Sequence, residues 1–186
     1  MARIKVIDYK HAEGRLKEIY DGLLDRRGKL ADVHTIQSLR PESIVKHMEL
    51  YMEIMFKHSD LSRAEREMIA VVVSAANQCT YCQMHHSAAL NRYWKDEAKV
   101  AQLRLNFEEL NLPGKEVLLC RFARSITLFP YKAENTDPTR PLKEVGLSDQ
   151  AILDATLVVG YFNFVNRMVL TLGVELEEDN GSGYKY

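Results

Sequence analysis

Residues 61–86 of the chain read LSRAEREMIAVVVSAANQCTYCQMHH. The stretch opens with Ser62-x-x-Glu65, a capping-box pattern that predicts the start of a helix. Helical periodicity also dominates on either side of it, and no segment shows the sustained period-2 alternation of a strand. We therefore predict an all-α fold, organised around this segment.

Four further helices are predicted along the chain. An apolar i, i+3, i+4 stripe from Leu16 to Leu24 ends at Gly28, and Pro41 opens a second helix. Later helices are expected at about 116–129 and 149–172, separated by a long loop from Pro130 to Pro141. These elements predict one domain over residues 1–174: N-terminal helices at about 12–60, a cysteine-bearing unit at about 61–105 and a second unit at about 116–174. Residues 175–186 are expected to form a flexible tail.

The sequence of the cysteine-bearing unit is weakly repeated later in the chain. A shift of 86 residues places Leu61-Ser62 on Leu147-Ser148 and Asn77 on Asn163. Two similar helical units packed about a pseudo-twofold axis would explain it. In the second copy the cysteines are replaced by Val165 and Met168, so the scaffold itself does not require sulfur there.

Composition excludes several classes of protein. The chain has 186 residues and a net charge of −1, which gives no field to attract nucleic acid or an anionic membrane. Its N-terminus does not resemble a signal peptide, and its apolar runs fall well short of the roughly 20 residues of a membrane span. We therefore expect a cytoplasmic protein. Three cysteines in a reducing compartment favour redox or metal chemistry over structural disulfides.

The candidate site lies at the end of the opening stretch. Cys79, Cys82 and His86 stand at i, i+3 and i+7, so two thiols and an imidazole share one helix face. The imidazole can take the proton that makes a thiolate, and the second thiol can resolve a sulfenic acid to a disulfide. If Asn77 caps a new helix, the dipole at its first turn favours Cys79 as the thiolate. Glu67 would lie roughly 18 Å from Cys79 along an unbroken helix, so it joins the site only if the chain turns near Asn77-Gln78 or if another helix or subunit brings it in.

These residues resemble the AhpD-like alkylhydroperoxidases of the carboxymuconolactone decarboxylase superfamily. The signature of that family is a Glu, eleven residues, Cys-x-x-Cys, three residues and a His, and it is matched by Glu67, Cys79, Cys82 and His86. The segments Leu61–Glu67, Thr127–Pro130, Val145–Ser148 and Tyr161–Arg167 extend the resemblance to the peroxidase-related subgroup, over about residues 12–174.

The resemblance implies a helical, homotrimeric or homohexameric enzyme that reduces hydroperoxides without a cofactor or metal. By position, Cys82 would attack the peroxide, Cys79 would resolve it, His86 would activate Cys82, and Glu67 would complete a proton relay. An external dithiol or disulfide reductase would supply electrons. Tyr81 stands where the family pattern has a His, and since a phenol is a poor base near neutral pH, the relay is altered at that position.

Two alternative functions remain open. One is a decarboxylase of the kind that gives the superfamily its name, whose chemistry does not use the cysteine pair. The other is a redox sensor or metal-binding oligomer without turnover, although structural zinc needs four ligands and only one local cysteine pair is present. Among the other polar residues, Cys120 is expected in the core, His11, His34, His47 and His58 at the surface or in caps, and Asn163 and Asn166 in structural hydrogen bonds.

Overall fold

A computed structural model of the chain describes residues 2–177. Over that range it contains α-helices and short 3-10 turns and no strand, so the predicted all-α fold is confirmed. In chain order the helices are α1 (Gly14–Arg27), α2 (Asp32–Thr35), α3 (Pro41–Phe56), α4 (Arg63–Ala76), α5 (Thr80–Trp94), α6 (Glu97–Asn106), α7 (Gly114–Leu128), α8 (Arg140–Glu144) and α9 (Asp149–Leu172).

The start of α4 has the predicted capping box. The Ser62 hydroxyl accepts a hydrogen bond from the Glu65 backbone nitrogen at 3.2 Å, and the Glu65 carboxylate accepts one from the Ser62 nitrogen at 2.7 Å. Ser148, 86 residues later, caps α9 in the same way by accepting from the nitrogen of Ala151 at 3.0 Å. The two segments of the internal repeat therefore begin their helices with equivalent serine caps.

Helix α4 lies at the centre of the core. Ten of its fourteen residues are buried, because it packs against α5, α6, α7 and α9. Helix α9 is long and apolar enough to cross a membrane by length and composition, but ten of its residues are buried within the protein. The core therefore explains part of its apolar composition, whereas Leu153, Leu157, Phe164 and Leu170 are exposed.

Two predictions differ from the structure in detail. The segment expected to be a loop from Pro130 to Pro141 contains a 3-10 turn over Pro130–Glu134 and the start of α8 at Arg140. Proline is compatible with the first turn of a helix, where its missing N–H costs nothing, so both elements can begin beside a proline. Of the predicted tail, residues 175–177 are described and 178–186 lie outside the described residues.

Candidate active site

A sharp break between α4 and α5 builds the site. Asn77 ends α4 in a helical conformation, Gln78 takes a positive φ of 56°, and Cys79 is the N-cap residue of α5. The chain therefore turns near Asn77-Gln78, one of the two conditions under which Glu67 could join the site, but the N-cap residue of the new helix is Cys79 and not Asn77. The turn folds α5 back against α4, which removes the distance that an unbroken helix would impose between Glu67 and the cysteines.

The side chain of Asn77 forms structural hydrogen bonds, the role that was predicted for Asn163 and Asn166. Its amide nitrogen donates to the side-chain oxygens of Asn163 and Asn166, each at 3.0 Å. Asn166 also donates to the Ser74 hydroxyl at 3.3 Å. The structural role expected for Asn163 and Asn166 is confirmed, and these bonds tie the turn that carries Cys79 to α9.

Glu67 is fully buried and contacts His86 directly. Its Oε2 lies 2.7 Å from His86 Nδ1, and its Oε1 accepts from Arg63 Nε at 2.8 Å. Burial alone would raise the pKa of this carboxyl, but His86 and Arg63 outweigh it and hold the pKa below its usual value. An ionised carboxylate can only accept a hydrogen bond, so His86 Nδ1 carries a proton and donates a hydrogen bond to Glu67. In neutral His86 the other nitrogen, Nε2, is then unprotonated and available as a base.

The two site cysteines are buried free thiols that are hydrogen-bonded to each other. A hydrogen bond between the thiols lowers the pKa of Cys79, and the same bond, together with burial, raises the pKa of Cys82 well above its usual value. The pair therefore favours a single negative charge and holds the second proton. A base beside Cys82 is needed to move the charge onto that sulfur.

Cys82 and several polar side chains line one small cavity. It has a volume of about 70 Å³, enough for a few water molecules or a small ligand. Predicted site residues Tyr81, Cys82 and His86 all line it, whereas Cys79 is fully buried beside them. The cavity is therefore open to a small molecule at Cys82 and closed around the partner thiol.

Glu177, in the segment after α9, contacts two of the residues that line this cavity. Its carboxylate accepts from the Tyr81 hydroxyl at 2.9 Å and lies 2.8 Å from His85 Nε2. Burial would raise the pKa of Glu177, but the bond to His85 outweighs it and lowers the pKa to about 2. Glu177 falls in the segment that was predicted to be a flexible tail, and no role was predicted for it because no local pattern links it to Tyr81. His85 also lines the cavity, although its position on the helix is about 100° from His86.

The expectation that His34 and His47 lie at the surface or in caps is wrong. Both are buried and line the cavity, and burial lowers the pKa of His34 to about 3 and of His47 to about 4. His47 Nε2 is 2.5 Å from the Tyr161 hydroxyl, and His47 Nδ1 is 2.8 Å from the Gln37 amide nitrogen. A signal was available for His47, because it falls between Ile44 and Tyr51 on the apolar side of its helix.

Cys120 lies in the core, as expected, where burial raises the pKa of its thiol. Within residues 2–177, no group of three or more His, Cys, Asp or Glu side chains is placed to hold a metal ion.

Comparisons with known proteins relate this geometry to a family. The model of the carboxymuconolactone decarboxylase family matches residues 43–109, which include α4, α5 and the site. An uncharacterized Bacillus subtilis protein, YdfG, is 24% identical over 135 residues, covering 73% of this chain and 90% of its own.

Solved structures give the same result over almost the whole chain. A peroxidase-related protein from Ralstonia eutropha, described as having the alkylhydroperoxidase AhpD core, has a TM-score of 0.85 and 26% identity, over 97% of this chain and 94% of its own. A peroxidase-related protein from Silicibacter has a TM-score of 0.83 and 26% identity, over 98% of each chain. The debrominase Bmp8, solved with 2,3,4-tribromopyrrole, shares the fold at a TM-score of 0.77 and 18% identity, over 97% of this chain and 96% of its own. Over residues 43–109 this chain therefore matches the carboxymuconolactone decarboxylase family, and over almost its whole length it is similar in fold to peroxidase-related proteins with the AhpD core.

Proposed function

We propose that the protein reduces small hydroperoxides with its cysteine pair. His86 Nε2 takes the proton of Cys82, and the thiolate attacks one peroxide oxygen. Cys82 becomes a sulfenic acid, and the other oxygen leaves as an alkoxide or hydroxide that takes the proton back from His86. The thiol of Cys79 then attacks the sulfenic sulfur, which forms a Cys79–Cys82 disulfide and releases water.

The observation that carries this proposal is the hydrogen bond between Glu67 and His86. It leaves Nε2 as the basic nitrogen, and His86 lies one helical turn from Cys82 on the same cavity. The high pKa of Cys82 makes that base necessary, and the adjacent Cys79 supplies the resolving thiol. The Tyr81 hydroxyl donates a hydrogen bond to Glu177. We therefore propose that Tyr81 shapes the wall of the cavity and takes no part in the proton relay.

Re-reduction of the disulfide requires an external reductant. We propose a dithiol or a disulfide reductase as the electron donor and the reducing cytoplasm as the compartment. We also propose a homotrimer or homohexamer. The exposed Leu153, Leu157 and Phe164, spaced along α9, are apolar residues that a second copy could cover.

Peroxide consumption with dithiothreitol, comparing the native protein with Cys82→Ser and Cys79→Ser, tests the proposal. We expect turnover by the native protein, no reaction by Cys82→Ser, and a trappable sulfenic acid in Cys79→Ser. Failure of the native protein to exceed the background rate, with hydrogen peroxide or an organic hydroperoxide, would count against it. Cys120→Ser is the matched control, because its thiol is remote from the pair and should leave turnover unchanged.

A further inference from the structure

The side chain of Gln37 has a defined orientation. Its amide nitrogen lies 2.8 Å from the Val33 carbonyl oxygen and 2.8 Å from His47 Nδ1. A carbonyl oxygen can only accept, so the Gln37 atom facing it is the NH₂ group rather than the amide oxygen. The two N–H bonds of that group serve Val33 and His47. His47 Nδ1 is therefore a hydrogen-bond acceptor.

This orientation decides which nitrogen of His47 carries the proton. Burial lowers the pKa of His47 to about 4, so the ring is neutral near pH 7 and has one N–H. Since Nδ1 accepts, the proton is on Nε2, which lies 2.5 Å from the Tyr161 hydroxyl oxygen. His47 therefore donates to Tyr161, and the Tyr161 oxygen accepts.

The proton of Tyr161 is consequently directed away from His47. Over residues 2–177, His47 Nε2 is the hydrogen-bond partner of this hydroxyl, and since it donates, it cannot accept the Tyr161 proton. Tyr161 lines the same cavity as Cys82, and burial raises the pKa of its phenol well above the usual value, with smaller contributions from Tyr51 and the Cys82 sulfur. The hydroxyl thus keeps its proton and can offer it to a molecule in the cavity.

Resting on the proposed peroxidase function, we propose that Tyr161 is a further catalytic residue, whose hydroxyl donates a hydrogen bond to the leaving oxygen of the hydroperoxide. The Cys82 thiolate displaces that oxygen as the O–O bond breaks and the S–O bond forms, so negative charge develops on it. Tyr161 stabilises this charge and retains its own proton, while the proton that neutralises the product comes from His86. His47 and Gln37 are positioning residues that keep the Tyr161 proton facing the cavity.

Two reactions of the same sulfur separate this role from a general effect on Cys82. Attack on tert-butyl hydroperoxide expels an oxygen anion, whereas alkylation by iodoacetamide expels iodide, which needs no hydrogen-bond donor. We expect Tyr161→Phe to lower the rate constant for oxidation of Cys82 about 100-fold, the usual loss for an oxyanion donor. Its alkylation rate, followed by mass spectrometry, and the pH dependence of that rate should remain close to those of the native protein.

Tyr20→Phe is the matched control. It removes another buried tyrosine hydroxyl, one that donates to the Ile7 carbonyl at 2.9 Å and is not part of the cavity. We expect it to leave both rates unchanged.

Variants of His47 test the positioning role without depending on Tyr161→Phe alone. His47→Gln keeps an N–H donor near the position of Nε2 and should retain most of the oxidation rate, whereas His47→Leu should lose most of it. Because both residues act through one hydrogen bond, Tyr161→Phe combined with His47→Leu should be no slower than Tyr161→Phe alone.

The outcomes are distinct. If the native protein shows no oxidation of Cys82 by peroxide, the proposed function fails, and the role of Tyr161 fails with it before any variant is compared. If the native protein reacts and Tyr161→Phe oxidises at the native rate, only the role of Tyr161 is overturned. A parallel fall in oxidation and alkylation also overturns it, because Tyr161 would then act on the thiolate or on the fold.

Discussion

Replacement of Glu67 by glutamine should impair both the fold and the chemistry of this site. The glutamine side chain has nearly the same shape but no charge, and it leaves the Arg63 guanidinium, whose side chain is 13% exposed, without its buried partner. Because Arg63 needs an acceptor, we expect the amide oxygen to face it and the NH₂ group to face His86. His86 Nδ1 would then accept, Nε2 would carry the ring proton, and the base beside Cys82 would be lost.

The two effects have different magnitudes. Removing one partner of a buried ion pair costs about 3–5 kcal/mol of unfolding free energy. Arg63 keeps its bond to the Met55 carbonyl at 3.0 Å and its contact with the Phe56 ring, so we expect the lower end, about 3 kcal/mol. For a domain of this size that lowers Tm by about 6–12 °C. Loss of the base should slow reaction of Cys82 on the order of 10²–10⁴-fold.

Urea unfolding measures the first effect, and iodoacetamide alkylation of Cys82 at pH 7 measures the second. Glu65→Gln is the matched control on the same helix, because glutamine can keep the capping bond to Ser62 and loses only an ion pair with the partly exposed Lys115. We expect that control to cost about 1 kcal/mol or less. Native-like stability and native-like alkylation in Glu67→Gln would show that the buried carboxylate neither holds Arg63 nor orients His86.

The contribution of Glu67 to the free energy of unfolding should depend on pH. Its pKa in the folded protein lies below the ordinary value of 4.5, so the carboxylate stabilises the fold above about pH 4.5. That contribution disappears as the pH falls through the folded pKa. The difference in unfolding free energy between the native protein and Glu67→Gln should therefore shrink on acidification, and a difference that grew would contradict the ion-pair assignment.

Three further outcomes follow from single contacts. Ser62→Ala removes the hydroxyl that caps α4 and should lower the unfolding free energy by about 1 kcal/mol, measured by urea unfolding. Glu177→Gln loses a carboxylate whose pKa is about 2, so the stability that it contributes should be complete above about pH 4.5 and fade toward pH 2, as followed by unfolding at a series of pH values. Iodoacetamide should leave Cys120 unmodified in the folded protein at pH 8 and label it only in denaturant, because burial raises the pKa of its thiol. Fast native-state labelling of Cys120 would show that the core opens there.

Local patterns were sufficient where one helix supplies the whole signal. The capping box at Ser62 and the spacing of Cys79, Cys82 and His86 each lie within about two helical turns of chain. Helix propensity and capping act over that range, so sequence alone can identify them. The same locality explains the error at Asn77, where an Asn before a new helix looks like an N-cap although its side chain bonds to α9.

No local pattern shows which residues of other helices meet at the cavity, although the apolar side of α3 could have marked His47 as buried. His47 in α3, Tyr161 in α9 and Glu177 after α9 are brought together with α5 only by packing. His47 could be read as a surface histidine because one residue type serves both settings, and only burial, which lowers its pKa to about 4, distinguishes them.

The sequence by itself therefore determined the helical class and the four residues of the family signature, since each follows from spacing along the chain. Only the tertiary structure decided that Glu67 reaches His86, which nitrogen of His86 is basic, and that Cys82 rather than Cys79 lines the cavity. These properties depend on burial and on the direction of hydrogen bonds between separate helices, which the spacing of residues along one helix does not specify.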